Sequence, residues 1–113
     1  MEIETIEEIA KKYNVTLFDR GKVASHTHEN KSYAGIILNK HIILGKFDDE
    51  EIRTITFFHE LGHSQIQDPP LSDYLVEKLS WKCGLKIAKE HGYKFSRNAL
   101  KWAANCLRTY YER

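Results

Sequence analysis

The sequence predicts an α+β fold: a small antiparallel β-sheet packed on a central helix, with additional helices around it. β-branched and aromatic residues concentrate in three short runs, residues 15–18, 33–38 and 41–44, which is typical of strands. Apolar residues recur with helical spacing through most of the rest of the chain. A chain of 113 residues is long enough for one hydrophobic core. We therefore expect a single domain over residues 1–113.

The N-terminal part is expected to supply one helix and the sheet. Isoleucines at helical spacing predict a helix over residues 3–13, and Asn14 should end it. A strand over 15–18 follows. Asn39-Lys40 can form a tight turn between the second and third strands, which would pair them as an antiparallel hairpin.

A central helix is predicted over residues 49–66. Asp48 and Glu51 form an acidic capping box at its start, and Pro69-Pro70 cannot continue it. Its apolar stripe consists of Ile52, Ile55, Phe58 and Leu61. A helix with this pattern is expected to be buried.

Two more helices should follow. Ser72 or Asp73 can cap the first, and His91-Gly92 should end it. Ser96 can cap the last helix, over about 97–111. The buried side of the first should hold Leu75, Val76, Leu79, Cys83, Leu85, Ile87 and Ala88. The apolar face of the last should include Leu100, Ala103, Ala104, Leu107 and Tyr110.

The central helix carries the motif His59-Glu60-Leu61-Gly62-His63, which is H-E-x-x-H. Histidines four residues apart share one helix face, so both imidazoles can bind one Zn²⁺ ion. Glu60 can accept a proton from a water molecule on the open side of that ion. Gly62 would let another backbone approach the helix closely.

A catalytic zinc ion needs a third protein ligand, and Glu77 is the predicted one. It lies among apolar neighbours with Trp81 one turn later, and an inward-facing glutamate is costly unless it is paired or bound to a metal. Two helices joined by a short turn containing Pro69-Pro70 should pack antiparallel, which brings Glu77 toward both histidines. Asp73 is the alternative ligand, although it looks more like a helix cap.

These segments together resemble the ImmA/IrrE family of metallopeptidases, over roughly residues 1–85. The resemblance rests on Tyr-Ala-Gly-Ile-Ile-Leu-Asn at 33–39, on Ile-Ile-Leu at 42–44 and on the motif helix at 55–63. It implies a compact zinc peptidase of the gluzincin type. Family members are often encoded by phages and mobile elements, and some cleave or inactivate a repressor protein. The family's third ligand often lies further downstream than Glu77.

The sequence therefore predicts a zinc-dependent endopeptidase, with His59, His63 and Glu77 as metal ligands and Glu60 as catalytic base. The expected partner is a protein or peptide substrate, for example a transcriptional repressor, lying extended along a sheet edge within residues 33–44. The alternative is a catalytically weak zinc-binding regulatory protein of the anti-repressor type that acts by protein–protein binding. The intact general base favours the enzyme.

Composition argues against other partners. Seventeen basic and 16 acidic residues give a net charge of +1, so a nucleic-acid partner is not expected. The basic and aromatic residues of the last helix keep a DNA-associated factor open as a third class. No apolar run is long enough to span a membrane, and the acidic N-terminus does not resemble a signal peptide. We expect a cytoplasmic protein in which Cys83 and Cys106 are buried, unpaired thiols.

A peptidase of this kind also needs a donor for the oxyanion. The sequence leaves four candidates open: His26, His28, Tyr33 and Tyr110. His41 should be exposed, and His91 should interact favourably with a helix C-terminus.

Overall fold

The computed structural model describes residues 3–19, 41–44, 49–66 and 72–111. The elements in chain order are α1 (Ile6–Lys12), β1 (Thr16–Asp19), β2 (His41–Leu44), α2 (Glu50–Gln65), α3 (Asp73–Glu90) and α4 (Arg97–Tyr111). Most of the described residues are therefore helical. None of the described helices has both the length and the apolar character that crossing a membrane requires.

The predicted α+β fold with an antiparallel sheet is wrong for the described residues. The short strands β1 and β2 pair in parallel, with Thr16 opposite His41 and Asp19 opposite Leu44. Strand propensity was read correctly at both places, but propensity does not say which strands pair or in which direction. The predicted strand at 33–38 and the turn at 39–40 lie outside the described residues.

Side-chain caps fix where the helices begin. Thr5 and Glu8 form a complete capping box at α1, a T-x-x-E signature that the sequence analysis overlooked. The N-cap of α2 is Asp49, one residue later than predicted, and its carboxylate accepts from the first-turn amides. Ser72 caps α3, and Ser96 accepts from the Ala99 amide at the start of α4, as expected.

The side chain of Glu51 does not close a capping box but joins α2 to α4. One of its oxygens lies 2.7 Å from the Ser96 amide nitrogen and the other 2.6 Å from the Ser96 hydroxyl. This contact ties the first turn of α2 to the start of α4.

Left-handed residues end two of the helices where the sequence predicted. Asn14 has φ 57° directly after the C-cap of α1, and Gly92 has φ 86° after the C-cap of α3. Asparagine and glycine tolerate this conformation better than other residues.

Glu4 joins the N-terminal segment to the end of α3. Its carboxylate lies 2.9 Å from Nδ1 of His91 and 2.7 Å from Nζ of Lys12, and its carbonyl accepts from the Tyr93 hydroxyl. Hydrogen bonds from Lys12 and then His91 lower the pKa of Glu4. His91 thus has a carboxylate partner in addition to its position at a helix C-terminus.

The helix α2 lies at the centre of the molecule. Every residue from Ile55 to Ser64 is buried, so the predicted apolar stripe understates its burial. On one side Phe57, Phe58 and Leu61 belong to a first core cluster with α1, the strands and the end of α3. On another side Ile55 packs with Trp81, Ala99 and Ala103, which form the second core cluster.

Glycines set the close approach of α2 and α3. A Cβ atom at Gly62 would overlap the Ser80 carbonyl and lie 2.9 Å from the Gly84 nitrogen. A Cβ atom at Gly84 would overlap the Phe58 carbonyl. The predicted role of Gly62 is therefore confirmed, and Gly84 supplies the matching small residue on the partner helix.

Several predicted core positions are wrong. Leu75 and Leu79 of α3 are 44% and 43% exposed, Leu100 of α4 is 44% exposed, and Ala104 of α4 is also exposed. The close approach of α2 explains the two errors on α3. The apolar residues of α3 spread around more than half of its circumference, so periodicity alone could not choose the buried face. The small residues Ser80 and Gly84, which permit the contact with α2, lie at the centre of the face that is buried.

Both cysteines are free and half-buried. Cys83 packs against the first core cluster and Cys106 against the second. Burial raises the pKa of both thiols, which favours the protonated form. The unpaired state was predicted, whereas full burial was not found.

Candidate metal centre

Helices α2 and α3 bring together four ionisable side chains, which we call the His-Glu cluster: His59, Glu60, His63 and Glu77. Their exposed fractions are 7%, 2%, 2% and 5%, respectively. Phe58 of α2 meets Gly84 late in α3, whereas His63 meets Glu77 early in α3. The helices are therefore antiparallel, as the short connection predicted.

One carboxylate faces both imidazoles. Oε1 of Glu77 lies 2.9 Å from Nε2 of His59, and Oε2 lies 2.9 Å from Nε2 of His63. The two imidazole centroids are 4.7 Å apart. The spacing of four residues on α2 places the two imidazoles side by side. The position of Glu77 on α3 places its carboxylate opposite them.

The charges in the cluster support one another. Burial by itself would raise the pKa of Glu77, but the hydrogen bond with His59 and the 2.9 Å contact with His63 outweigh burial and lower it to about 2. Burial would lower the pKa of His63, but the bond with Glu77 and the charge of Glu60 outweigh it and raise that pKa. The favoured charges are thus an ionised Glu77 beside a protonated His63.

The cluster could hold a metal ion. His59, Glu60 and His63 can each offer one ligand atom, and these atoms lie within 4.8 Å of one another. Ligand atoms at a tetrahedral zinc ion stand about 3.4 Å apart, since each is about 2.1 Å from the metal. The 2.9 Å distances from Glu77 to the two histidines need only a small widening to reach that value. Buried imidazole nitrogens and carboxylate oxygens suit Zn²⁺.

Glu60 occupies a different position from Glu77. Its Oε2 atom lies 3.8 Å from Nδ1 of His59, which is the ring nitrogen that does not face Glu77. That distance is too long for a hydrogen bond. Glu60 therefore lies on the Nδ1 side of His59, and one of its oxygens lies within 4.8 Å of a ring nitrogen of each histidine.

Trp81 forms a wall of the site that sequence reasoning did not assign. Its ring lies parallel to the imidazole of His59, with centroids 4.1 Å apart and an angle of 6° between the planes. The available signal was the spacing of four residues between Glu77 and Trp81, which places both side chains on the same face of α3.

The other candidate residues lie elsewhere. Asp73, the alternative third ligand, is exposed in the first turn of α3 and does not join the cluster. His91 is bonded to Glu4, far along α3 from Glu77. The candidate oxyanion donors His26, His28 and Tyr33 fall outside the described residues, as do the side chains of His41 and Tyr110.

Comparisons with protein-family models, with curated proteins and with solved structures found no match for this chain. The resemblance to the ImmA/IrrE family therefore stays a prediction from the motif and its neighbours.

Proposed function

We propose that this protein is a zinc-dependent endopeptidase that hydrolyses a peptide bond in a protein substrate. The observation that carries the proposal is the buried cluster in which the carboxylate of Glu77 faces Nε2 of both His59 and His63, with a second carboxylate, Glu60, beside them. A structural zinc site usually fills all four positions with protein ligands and has no use for an additional general base.

His59, His63 and Glu77 would hold the metal. Bound Zn²⁺ would supply a Lewis acid that polarises the substrate carbonyl and makes water acidic near neutral pH. The low pKa of Glu77 keeps its carboxylate ionised and therefore ready as a ligand. The histidines bind a metal only when they have lost a proton, so metal loading must displace the proton that His63 favours.

Glu60 would act as the general base. It accepts a proton from the attacking water and passes this proton to the nitrogen of the departing amine. The substrate would lie extended and pair by main-chain hydrogen bonds with a strand edge. Of the predicted edge at 33–44, only β2 is described. Only the family resemblance supports a regulatory protein, such as a repressor, as the substrate.

The test separates metal binding from catalysis with one conservative and one disruptive variant. Glu60→Gln preserves shape and should keep near-stoichiometric zinc by elemental analysis, because Glu60 is not a ligand in this scheme. Its cleavage of a protein or peptide library should fall by about 10²- to 10⁴-fold, the range that general-base catalysis contributes. His63→Ala should lose both zinc and cleavage.

Full cleavage by Glu60→Gln would exclude the proposed mechanism. Loss of zinc from Glu60→Gln would instead make Glu60 a metal ligand. A biological effect that survives Glu60→Gln and is lost in His63→Ala would identify a regulatory protein that sequesters its target.

A further inference from the structure

The orientation of His59 depends on what its ring contacts. A metal-binding histidine ordinarily donates its second ring N–H to a carboxylate, a carbonyl or water, which holds the ring at the correct angle. Nε2 of His59 faces Glu77, so Nδ1 would have to make this second bond. Oε2 of Glu60 lies 3.8 Å from Nδ1, beyond hydrogen-bond distance, and among the described residues the structure shows no hydrogen bond to Nδ1.

The parallel ring of Trp81 covers one face of the same imidazole. A separation of 4.1 Å and an angle of 6° allow contact over the whole ring, which opposes both tilting and rotation of His59. Trp81 is itself 5% exposed and forms part of the second core cluster, so its own ring has little freedom. Trp102 of α4 contacts it edge-on, with centroids 6.2 Å apart at 80°.

We propose that Trp81 is a positioning residue for His59: its stacked indole holds the imidazole in the orientation in which Nε2 reaches the metal. This inference rests on the proposed metal site. The helix α3 would then contribute twice to the centre, with Glu77 as a ligand and with Trp81 one turn later as the support for a ligand on α2.

The experiment measures divalent metal binding by the whole protein, with Co²⁺ as an absorbing probe and Zn²⁺ in competition. Trp81→Leu removes the flat face, and Trp81→Met removes it while filling more of the volume. Trp81→Phe keeps a ring. Trp102→Leu is the matched control, because it removes an indole from the same cluster without touching His59. Melting curves record the stability of each variant.

Trp81→Leu and Trp81→Met should bind Co²⁺ about 10- to 100-fold more weakly, which is the usual cost of removing the support of a metal ligand. Their Co²⁺ absorption spectra should also change, since the ligand angle changes. Trp81→Phe should restore most of the affinity and the wild-type spectrum. Trp102→Leu should lower the melting temperature with little effect on the Co²⁺ affinity or the absorption spectrum. The His59 ring protons should shift upfield by NMR in the wild type and lose this shift in Trp81→Met.

Wild-type affinity and spectrum in a folded Trp81→Leu or Trp81→Met variant would overturn the proposal. An equal loss of Co²⁺ affinity in Trp102→Leu would also overturn it, because the loss would then result from lower stability of the whole protein. Failure of the wild type to bind either metal would refute the proposed function itself. If neither disruptive variant folds, Trp81→Phe decides: a Co²⁺ affinity close to wild type with an upfield shift of the His59 ring protons supports the proposal, and a loss of affinity despite the retained ring refutes it.

Discussion

At the scale of single residues, metal content should distinguish the two candidate third ligands. Glu77→Ala should lose most of its zinc, because only Glu77 of the two faces His59 and His63. Asp73→Ala should keep near-stoichiometric zinc, since Asp73 is exposed in the first turn of α3. Elemental analysis of both variants, purified side by side without added metal, provides the comparison. The opposite pattern would assign the ligand to Asp73.

Most of the residues of the candidate site could be predicted from the sequence. The two histidines and Glu60 follow from spacing within one helix, which is local information. Glu77 follows from the rule that a carboxylate on an apolar helix face needs a partner. The stacking of Trp81 on His59 could not be predicted, because it depends on the distance and rotation between two helices that only packing determines.

In the presence of a chelator, the stability of the metal-free protein should depend on pH because of the His-Glu cluster. The pKa of Glu77, about 2, lies below the ordinary 4.5, so its contribution is present above pH 4.5 and is lost as the pH falls toward 2. The pKa of His63 is raised above 6.5, so its contribution is present below pH 6.5 and is lost as the pH rises through the raised value. Glu77 and His63 therefore both contribute to the stability of the protein between about pH 4.5 and 6.5.

Thermal unfolding in chelator at several pH values checks this window. The difference in melting temperature between wild type and Glu77→Gln should be largest inside it and should shrink on both sides. A difference that is constant across pH would show that the pair does not titrate as described. Zinc binding should weaken as the pH falls through the raised pKa of His63, because His63 must lose its proton to bind the metal.

At the scale of elements, helix boundaries were predicted within a few residues, whereas helix faces and strand pairing were predicted less well. Caps and breakers such as Ser96 and Gly92 act over one turn, so the sequence reveals them directly. The buried face of α3 depends on where a partner helix can come closest, and Leu75 and Leu79 were therefore misplaced. The pairing of β1 with β2 joins segments far apart in sequence, and strand propensity carries no information about it.

Adding a methyl group where α2 meets α3 should be strongly destabilising. Gly62→Ala and Gly84→Ala place a Cβ atom against backbone of the partner helix, which cannot move aside without separating the helices. We expect each to cost about 3 kcal/mol, despite the better helix propensity of alanine. Chemical denaturation of the two variants gives the values.

Gly92→Ala is the control for this comparison. The added Cβ atom makes only an ordinary van der Waals contact, 3.7 Å from the Ile3 side chain. The cost comes from the left-handed backbone at φ 86° and should be about 1 kcal/mol. If all three substitutions cost the same, close helix approach would not be the cause.

At the scale of the whole molecule, the candidate site lies in the interface between α2 and α3, next to the close contact of Gly62 with Ser80. The first and second core clusters occupy different sides of α2, and the His-Glu cluster joins α2 to the early turns of α3. A bound metal would therefore connect the two longest helices of the described chain.

Removing the metal should lower the melting temperature. Binding that occurs only in the folded state adds to its stability, by about 2.7 kcal/mol when free zinc is a hundred times its dissociation constant. For a chain of this size, that corresponds to about 10 °C. Differential scanning calorimetry with and without chelator measures the change, and added zinc should reverse it. His63→Ala should not respond to chelator. An unchanged wild-type melting temperature after zinc has left would exclude metal cross-linking.

The contact of Glu4 with His91 has a consequence for the order of folding. The two residues are separated by 87 positions, so this contact closes a loop that contains most of the chain. The entropy lost in closing such a loop must be offset by structure that already exists inside it. The α2–α3 pair is close in sequence and can form early. The N-terminal segment is then added to a nearly complete surface, and it should be among the first parts to detach when the native protein opens locally.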